Sequence, residues 1–216
     1  MKIAIIGAGQ LSGALGKGWA KAGHSINFGV RDPGHEKTHL PLAEVGGEGS
    51  LRTVGQAVFM ADIVVLAAAW KEVRPIIGEM GDVNGKILID CTNPVTLNSE
   101  GGLGLEFGSD YSGAEEVARL ASGARVAKAF NTYGWEVFAD PSFPGNGGAK
   151  PTLFHCSDED EAKEIVAKLA QDLGFEPVDV GGLGMARTLE PMALFWIRFA
   201  FNRGRNPNFA LAMLKR

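Results

Sequence analysis

The first 22 residues read as a strand, a glycine-rich turn and an amphipathic helix, in that order. Residues 2–6 contain four apolar residues in five, and residues 11–22 place apolar side chains at helical spacing. Between them lies Gly7-Ala8-Gly9. A glycine turn between a strand and a helix is the context that gives a dinucleotide-binding fingerprint its meaning. The segment therefore predicts an α/β fold with a nucleotide at its first turn.

Each residue of this turn has a predicted role. Gly7 permits the tight turn, and Gly9 lets the backbone approach a pyrophosphate. Gln10 and Leu11 begin the helix, whose free N–H groups and positive dipole end face that phosphate. The third glycine of the G-x-G-x-x-G pattern is replaced by Ser12, which is still small enough for close packing of helix and strand.

Short apolar runs alternate with helical patterns along the rest of the chain, which predicts an α/β fold with a Rossmann doubly wound parallel sheet. We predict an NADP-binding Rossmann domain over residues 1–150 and a small C-terminal α/β extension packed on it over residues 151–216. Residues 93–111 and 134–150 read as long loops. Residues 185–202 read as a helix that is apolar nearly all round, which fits either a core helix or a subunit interface.

The end of the second predicted strand indicates which dinucleotide is bound. NAD enzymes place a carboxylate there for the ribose 2′-hydroxyl, whereas this chain has Val30 followed by Arg31. Asp32 comes later, before Pro33-Gly34, and reads as a turn residue. Because an arginine can pair with a 2′-phosphate, Val30 and Arg31 predict NADP(H) rather than NAD(H).

Three further strand ends carry residues suited to a ligand: Ala69-Trp70, Asn93-Pro94 and Asn131. In open α/β sheets, ligands bind beyond the carboxyl ends of the strands, so the three are expected to converge on a nicotinamide site. The alternative for each is ordinary turn chemistry. The sequence singles out no acid–base group, so no catalytic residue is assigned; hydride transfer between two bound cofactors needs none.

Two other patterns are weighed against simpler interpretations. His35-Glu36-Lys37-Thr38-His39 matches the H-E-x-x-H zinc motif, but prolines on both sides leave room for barely two helical turns. We expect a solvated loop there and no metal. Cys91 fits either a reactive thiol or, more commonly, a buried structural cysteine.

Composition excludes several classes of function. Lys plus Arg number 21 against 25 Asp plus Glu, a net charge of −4 that argues against a nucleic-acid surface. Two distant cysteines make neither a disulfide scaffold nor a zinc ribbon. No apolar run reaches membrane-spanning length, and the N-terminus lacks a signal-peptide layout. We expect a soluble, cytoplasmic protein whose partner is a small-molecule redox acceptor, with no nucleic-acid or membrane partner.

Taken together, several strings resemble the NADPH-dependent deazaflavin reductases, the coenzyme F420:NADP oxidoreductases and their bacterial relatives. The cytosolic domain of the six-transmembrane ferric reductases is also similar. The strings are residues 7–13, Gly29-Val30-Arg31-Asp32-Pro33, Lys128-Ala129-Phe130-Asn131-Thr132 and Leu189-Glu190-Pro191.

The resemblance implies a dimer that transfers a hydride between nicotinamide C4 and deazaflavin C5, in a cleft under the last helix. It implies that Gly7, Gly9, Gln10 and Leu11 form the phosphate turn and that Arg31 binds the 2′-phosphate. It places Ala69, Trp70, Asn93 and Pro94 beside the nicotinamide, and it makes Asn131 the contact to the second substrate.

The chain departs from this family at two positions. Val30 stands where a serine or threonine is common, and Asp32 where a basic residue is common, which weakens the expected grip on the 2′-phosphate. The sequence does not name the acceptor, which stays open between a deazaflavin, a flavin and a similar planar molecule. Two alternatives are an NADP(H)-binding sensor or structural protein without turnover, and an imine or hydroxy-acid reductase. The last is disfavoured because only about 36 residues follow Val180.

Overall fold

The computed structural model describes residues 1–45, 49–97, 101–145, 147–201 and 206–214, apart from the side chains of Lys37 and Leu40. The strands are β1 (Lys2–Ile6), β2 (Ser25–Val30), β3 (Gly49–Thr53), β4 (Ile63–Leu66), β5 (Ile87–Asp90), β6 (Val95–Leu97), β7 (Leu103–Leu105), β8 (Arg125–Lys128), β9 (Thr152–Ser157) and β10 (Glu176–Asp179). The helices are α1 (Gln10–Lys21), α2 (Leu40–Glu44), α3 (Val54–Met60), α4 (Val73–Glu79), α5 (Gly113–Leu120), α6 (Trp135–Ala139), α7 (Asp160–Asp172) and α8 (Ala186–Phe201).

Eight strands form one sheet in the order β10-β9-β8-β5-β4-β1-β2-β3. The six strands from β8 to β3 are parallel and reproduce the 3-2-1-4-5-6 order of a dinucleotide-binding sheet, which confirms the predicted fold class. The central strands β1, β4 and β5 are almost entirely buried because helices cover both faces, which explains their continuous apolar sequences.

The last two strands refine the prediction of a parallel sheet. β9 pairs with β8 in the antiparallel direction, and β10 is parallel to β9. After β8 the chain does not cross back to the other end of the sheet, so β9 starts at the carboxyl edge and runs the opposite way. Both strands extend the same sheet. The division into residues 1–150 and 151–216 stays a prediction.

The two faces of the sheet carry separate layers of packed side chains. One layer contains Leu15 and Trp19 of α1 together with Leu169 of α7. The other contains Val58 of α3 and Val117 of α5. Helix α8 contributes to both layers because it crosses from one face to the other beyond the carboxyl ends of the strands. Its early residue Leu189 lies in the second layer, and its later residue Trp196 lies in the first.

The segment between β2 and β3 and the two segments predicted as long loops contain short elements. Residues 31–49 hold α2 and the start of β3, residues 93–111 hold the antiparallel hairpin β6–β7, and residues 134–150 hold α6. Strand β3 is a half-buried edge strand that pairs only with β2, so it needs no apolar alternation. Of these segments, residues 46–48, 98–100 and 146 lie outside the described residues.

The predicted last helix over residues 185–202 is present as α8; Asn202 lies outside the described residues. One face of α8 is buried, including Ala193 and Trp196. The opposite face exposes Phe195 by 57% and Phe199 by 41%, and Phe201, at the end of the helix, is 63% exposed. The helix therefore contributes to the core of its own chain while leaving an aromatic strip uncovered.

Candidate functional site

The predicted phosphate turn joins β1 to α1 over only three residues. Gly7 has a φ of +138°, and a Cβ there would lie 2.2 Å from the carbonyl oxygen of Ala67 at the end of β4. Only glycine fits this position, since both its backbone conformation and its surroundings exclude a side chain. The turn therefore holds the start of α1 against the carboxyl end of β4.

Gly9 meets a different requirement. It is the N-cap of α1, and a Cβ built on it has no atom within 4 Å. Space above the turn is therefore open where a ligand would approach the backbone. The first intrahelical bond runs from the Gly13 N–H to the Gly9 carbonyl at 3.2 Å, so the N–H groups of Gln10 and Leu11 lack helical partners. The first turn of α1 itself carries no acidic residue that would repel a bound phosphate.

Two residues, Ser12 and Gly16, together do what the third glycine of the fingerprint does, which is to let α1 pack closely on the sheet. Ser12 is fully buried and its hydroxyl donates to the Ala67 carbonyl at 3.5 Å. One turn later, a Cβ on Gly16 would lie 2.5 Å from the Phe28 ring on β2. Gly16 thus permits the close packing of α1 on the sheet, a position that the fingerprint did not indicate.

Arg31 lies at the end of β2, directly after the buried Val30. Its side chain is 57% exposed and contacts Glu72 at 2.6 Å and Glu79 at 3.7 Å. The hydrogen bond from Arg31 lowers the pKa of Glu72. The guanidinium is therefore within reach of solvent, but two carboxylates compete for it. Asp32 accepts the N–H of Gly34 at 2.9 Å, which confirms its predicted place in a turn.

A cleft of about 880 Å³ opens beside the ends of β4 and β5. Ala69, Trp70 and Asn93, all predicted site residues, line it together with Phe107. The Trp70 ring meets Phe107 edge-on at 5.8 Å, and its indole N–H donates to Glu106 at 2.6 Å. This volume lies within the range of sites that hold cofactors and drug-sized ligands.

Asn93 and Asn131 bind each other across the ends of β5 and β8. The Asn93 amide donates to the Asn131 backbone carbonyl at 2.8 Å, and the Asn131 amide donates to Asn93 Oδ1 at 3.0 Å. The Asn131 amide also donates to the Leu189 carbonyl of α8 at 3.2 Å. Its own Oδ1 is buried and has no hydrogen-bond partner among the described residues. Buried polar atoms are nearly always paired, so this oxygen marks a place where a donor is missing.

The residue before Asn131 is strained. Phe130 has a φ of +57°, the one positive φ of a non-glycine residue in the described part of the chain, and its side chain is buried. An aromatic residue in this region of backbone space is uncommon and is held there only by its surroundings. The strain fixes the direction in which Asn131 leaves β8.

Beneath these residues lies a buried charged cluster that the sequence reading missed. Lys128 Nζ contacts Asp90 at 2.8 Å, Glu190 at 2.9 Å and the Thr92 carbonyl at 2.6 Å. The three charged side chains are at most 2% exposed. Polar residues inside apolar strands were the available signal: Asp90 ends β5, and Lys128 ends β8. Their pairing with α8 is visible only in the fold.

Other residues singled out from the sequence lie elsewhere. Cys91 is buried, and burial raises the pKa of its thiol well above the ordinary value, so it is a structural cysteine and not a reactive one. His39 contacts the Pro33 carbonyl at 2.9 Å at the end of a short 3₁₀ helix (Glu36–His39), where the zinc motif would need a regular α-helix. In the part of the chain that the structure describes, no three histidine, cysteine or acidic side chains group as metal ligands.

All predicted site residues thus lie at one edge of the sheet, at the ends of β1, β2, β4, β5 and β8. Two links between separate strand ends are direct. Gly7 meets Ala67, and Arg31 reaches Glu72 in the 3₁₀ turn that follows Ala69. At a third place, a Cβ on the α5 residue Gly113 would lie 3.2 Å from both Pro94 and the Trp70 ring. The arrangement offers a phosphate cradle at one side and an aromatic-walled cleft at the other.

Comparison with known proteins supports the fold and the family resemblance described above. Residues 2–94 match the family model described as NADP oxidoreductase, coenzyme F420-dependent, which confirms the predicted resemblance. The solved structure of a candidate F420-dependent NADP reductase from Arthrobacter sp. FB24 is 26% identical, with a TM-score of 0.88 and full coverage of both chains. A hypothetical protein, SMa0349, from Sinorhizobium meliloti is 27% identical, with a TM-score of 0.77; the match covers 100% of this chain and 96% of that one.

A curated relative is the metalloreductase STEAP3 of Rattus norvegicus, 30% identical over 196 residues, which is 89% of this chain and 36% of that protein. The chain therefore spans about a third of the length of the curated relatives it matches. An imine reductase from Myxococcus stipitatus has a TM-score of 0.64 at 20% identity, covering 92% of this chain and 61% of that one, and shares the fold. Within the described residues, no helix is both long and apolar enough to cross a bilayer.

Proposed function

We propose that this chain, whose residues 2–94 match the coenzyme F420-dependent NADP oxidoreductases, is an NADP-dependent oxidoreductase. It moves a hydride between NADP(H) and a planar acceptor such as a deazaflavin or a flavin. The observation that carries the proposal is the turn after β1, where Gly7 excludes any side chain and Gly9 leaves open space above unpaired N–H groups. This combination fits a pyrophosphate.

The same edge of the sheet fits the rest of the dinucleotide. Gln10 and Leu11 supply N–H groups to the phosphates, and Arg31, after Val30, is the cation for a 2′-phosphate. Ala69, Trp70, Asn93 and Pro94 border the nicotinamide side of the cleft. Bound NADPH supplies the hydride, and the protein supplies position and a site from which water is excluded.

The second substrate contacts Asn131. Its amide nitrogen is held by Asn93 and by the Leu189 carbonyl, so its orientation is fixed. Its side-chain oxygen lacks a donor. Flavins and deazaflavins both carry a ring N–H that can donate to such an oxygen, and the aromatic wall of Trp70 and Phe107 suits a flat ring system.

Single-turnover kinetics test the proposal. The protein–NADPH complex is mixed with oxidised coenzyme F420, with FMN or with a ferric chelate, and the loss of NADPH absorbance is followed. Oxidation faster than in the protein-free mixture, with at least one acceptor, supports an oxidoreductase. Tight NADPH binding with no acceptor that oxidises it would reject turnover and favour a sensor or structural role. If none of these acceptors oxidises NADPH but an imine or a keto acid added in the same assay does, a different substrate class would be assigned.

The choice between NADP(H) and NAD(H) is tested separately, by measuring the Kd of each reduced nucleotide. We expect a lower Kd for NADPH than for NADH, because Arg31 offers a cation and no carboxylate occupies the end of β2. Equal or tighter binding of NADH would contradict this choice.

We also propose a cytoplasmic homodimer, with the exposed strip of α8 as its contact. The rings of Phe195 and Phe199 stack on this strip with their centroids 6.0 Å apart, and both are exposed. Exposed aromatic groups of this kind are typical of protein interfaces. Light scattering during size-exclusion chromatography is expected to give twice the monomer mass of 22.8 kDa, and Phe195→Asp is expected to give the monomer. A monomeric wild-type protein would overturn the proposed dimer.

A further inference from the structure

Asp90, Lys128 and Glu190 form a buried cluster in which every polar atom contacts a hydrogen-bonding partner. Asp90 Oδ1 accepts the Thr92 N–H at 2.9 Å and its hydroxyl at 2.7 Å, while Oδ2 accepts from Lys128. Glu190 Oε2 accepts the Gly113 N–H at 2.9 Å, and Oε1 accepts from Ala114 N–H at 3.0 Å and from Lys128. Both carboxylates thus face donors, and neither faces an acceptor to which a proton could be donated.

These contacts fix the charge of the cluster. Two ionised carboxylates and one ammonium group give a net charge of −1. Burial alone would lower the pKa of Lys128, but the attraction of Asp90 and Glu190 raises it above the ordinary value, so the lysine keeps its proton. The N-terminal end of α5, which is the positive end of its dipole, meets Glu190. The partial positive charge of this helix end is smaller than one unit, so it does not cancel the net charge of the cluster. A net negative charge therefore remains inside the protein, where solvent screens it poorly.

The cluster lies directly beneath the proposed nicotinamide side of the site. Gly113 is the common neighbour: a Cβ on it would lie 3.1 Å from Glu190 Oε1, and 3.2 Å from both the Pro94 ring and the Trp70 ring. Asp90 precedes Asn93 by three residues, and Lys128 precedes Asn131 by three. The charge is thus one layer of residues away from the surface that the nicotinamide would contact.

We propose that this net charge sets the redox balance of the bound nucleotide. The inference rests on the proposed function. When hydride leaves, the neutral dihydronicotinamide becomes a cationic ring, and the acceptor gains the hydride with its two electrons. A buried negative charge stabilises the cationic form and leaves the neutral form almost unaffected. The protein therefore binds NADP⁺ more favourably relative to NADPH than the cleft alone would, which makes NADPH the better donor.

Equilibrium binding tests the inference without any acceptor. Kd values for NADP⁺ and NADPH are measured by titration calorimetry for the wild type, Glu190→Gln and Asp90→Asn. Each variant removes one negative charge and keeps the size of the side chain. We expect the ratio Kd(NADP⁺)/Kd(NADPH) to rise by about fivefold or more in both, because each variant removes a unit negative charge that attracts the cationic ring. Glu164→Gln is the matched control, since Glu164 is exposed on α7; its ratio is expected to equal that of the wild type.

The outcomes separate this inference from the function on which it rests. If neither nucleotide binds the wild type, the proposed function fails and the inference fails with it. If both bind and the ratio is unchanged in folded Glu190→Gln or Asp90→Asn, the function stands and the inference is overturned. A partly unfolded fraction of a variant weakens both apparent affinities by the same factor and leaves their ratio unchanged, so a change in the ratio reports the buried charge and not a folding defect.

Discussion

Gly7 and Gly9 are two residues apart and are glycine for different reasons. At Gly7 the φ of +138° and the Ala67 carbonyl oxygen, 2.2 Å from where a Cβ would lie, are requirements of the fold. At Gly9 the backbone angles suit any residue, with φ −87° and ψ 175°, and the space is open. Nothing in the described part of the folded chain requires glycine at that position, so its requirement is expected to come from the ligand.

This difference gives a paired prediction. Gly7→Ala is expected to lower the free energy of unfolding by about 2 kcal/mol or more, through strain and overlap. Gly9→Ala is expected to leave the free energy of unfolding unchanged and to weaken NADPH binding by about tenfold or more, because a methyl group occupies the place of the phosphate. Denaturant unfolding and calorimetric titration measure the two effects. Gly78→Ala on α4, where a Cβ also meets nothing, is the control.

Arg31 is expected to act on the phosphate of NADPH and not on stability. Because its ion pairs with Glu72 and Glu79 are exposed, Arg31→Ala is expected to leave the free energy of unfolding almost unchanged. NADPH affinity is expected to fall by about tenfold, with NADH affinity unchanged. Glu72→Gln removes one of the two carboxylates that compete for the guanidinium and is expected to raise NADPH affinity. A parallel loss for both nucleotides in Arg31→Ala would contradict the assignment.

His155 predicts a pH dependence of stability. Burial lowers the pKa of His155, while Asp179 opposes that shift, and its Nδ1 is buried without a partner among the described residues. The unfolded chain therefore takes up this proton at a higher pH than the folded chain does. Its contribution to stability is full above about pH 6.5 and is lost as the pH falls below that value. His155→Gln is expected to reduce the loss between about pH 7.5 and 5.5, whereas His35→Gln, at an exposed position, leaves it intact.

At the level of single residues, sequence reasoning found the groups whose role is local. The glycine turn, the cation after β2 and the turn at Asp32 each show their pattern within one stretch of sequence, although Gly7 and Arg31 also contact other segments in the fold. Lys128 and Glu190 were missed as a pair because their contact exists only after β8 and α8 have packed together. A lysine at the end of an apolar strand indicates that a buried counter-charge is needed, but it does not indicate which one.

Among the elements, α3 shows how a short helix is started by its own sequence. Thr53 caps it: its hydroxyl accepts the Gln56 N–H at 3.4 Å, and the Gln56 side chain accepts the Thr53 N–H at 3.3 Å. This reciprocal pair is a capping box. It fixes the point at which the edge strand β3 ends and the helix begins.

Removing the cap is expected to cost stability and nothing else. Thr53→Ala is expected to lower the free energy of unfolding by about 1 kcal/mol, while Thr53→Ser keeps the hydroxyl and most of the stability. Thr188→Ala, at an exposed position within α8, is the comparison and is expected to have a smaller effect. Equal losses for Thr53→Ala and Thr188→Ala in denaturant unfolding would contradict the role of the cap.

Elements were predictable in proportion to their apolar content. The central strands and the long helices were predicted correctly. Burial on both faces gives a strand a continuous apolar run, and burial of one side gives a helix an apolar stripe, and both are visible in the sequence. Strand β3 and the hairpin β6–β7 were missed because half-buried and exposed strands can carry polar residues. Their pairing is decided by neighbouring strands and not by their own composition.

For the whole molecule, the order of strands places the site. The two halves of the parallel sheet diverge between β1 and β4, and the chain crosses that boundary with Gly7 on one side and Ala67 on the other. The alternation of strands and helices along the sequence predicted a doubly wound parallel sheet of this kind. The reversed direction of β9 was not predictable from alternation, because parallel and antiparallel strands of similar burial have similar sequences.

The position of α8 depends on the whole fold. It crosses beyond the carboxyl ends of the strands, offers the Leu189 carbonyl to Asn131 and brings Glu190 to Lys128. The helix therefore joins both faces of the sheet to the proposed site, and the exposed strip on its far side would connect that site to a second subunit.

Transfer of deuterium tests the central claim most directly. The protein is mixed with NADPH carrying deuterium on one face of nicotinamide C4 and with oxidised coenzyme F420, and the products are examined by mass spectrometry. We expect deuterium on the reduced deazaflavin from one of the two labelled faces and not from the other, because a cleft turns one face of the nicotinamide to the acceptor. The deuterium is retained because a hydride that moves within the cleft does not exchange with solvent. Reduced deazaflavin without deuterium from either label, or no reduction of any planar acceptor by bound NADPH, would contradict the account.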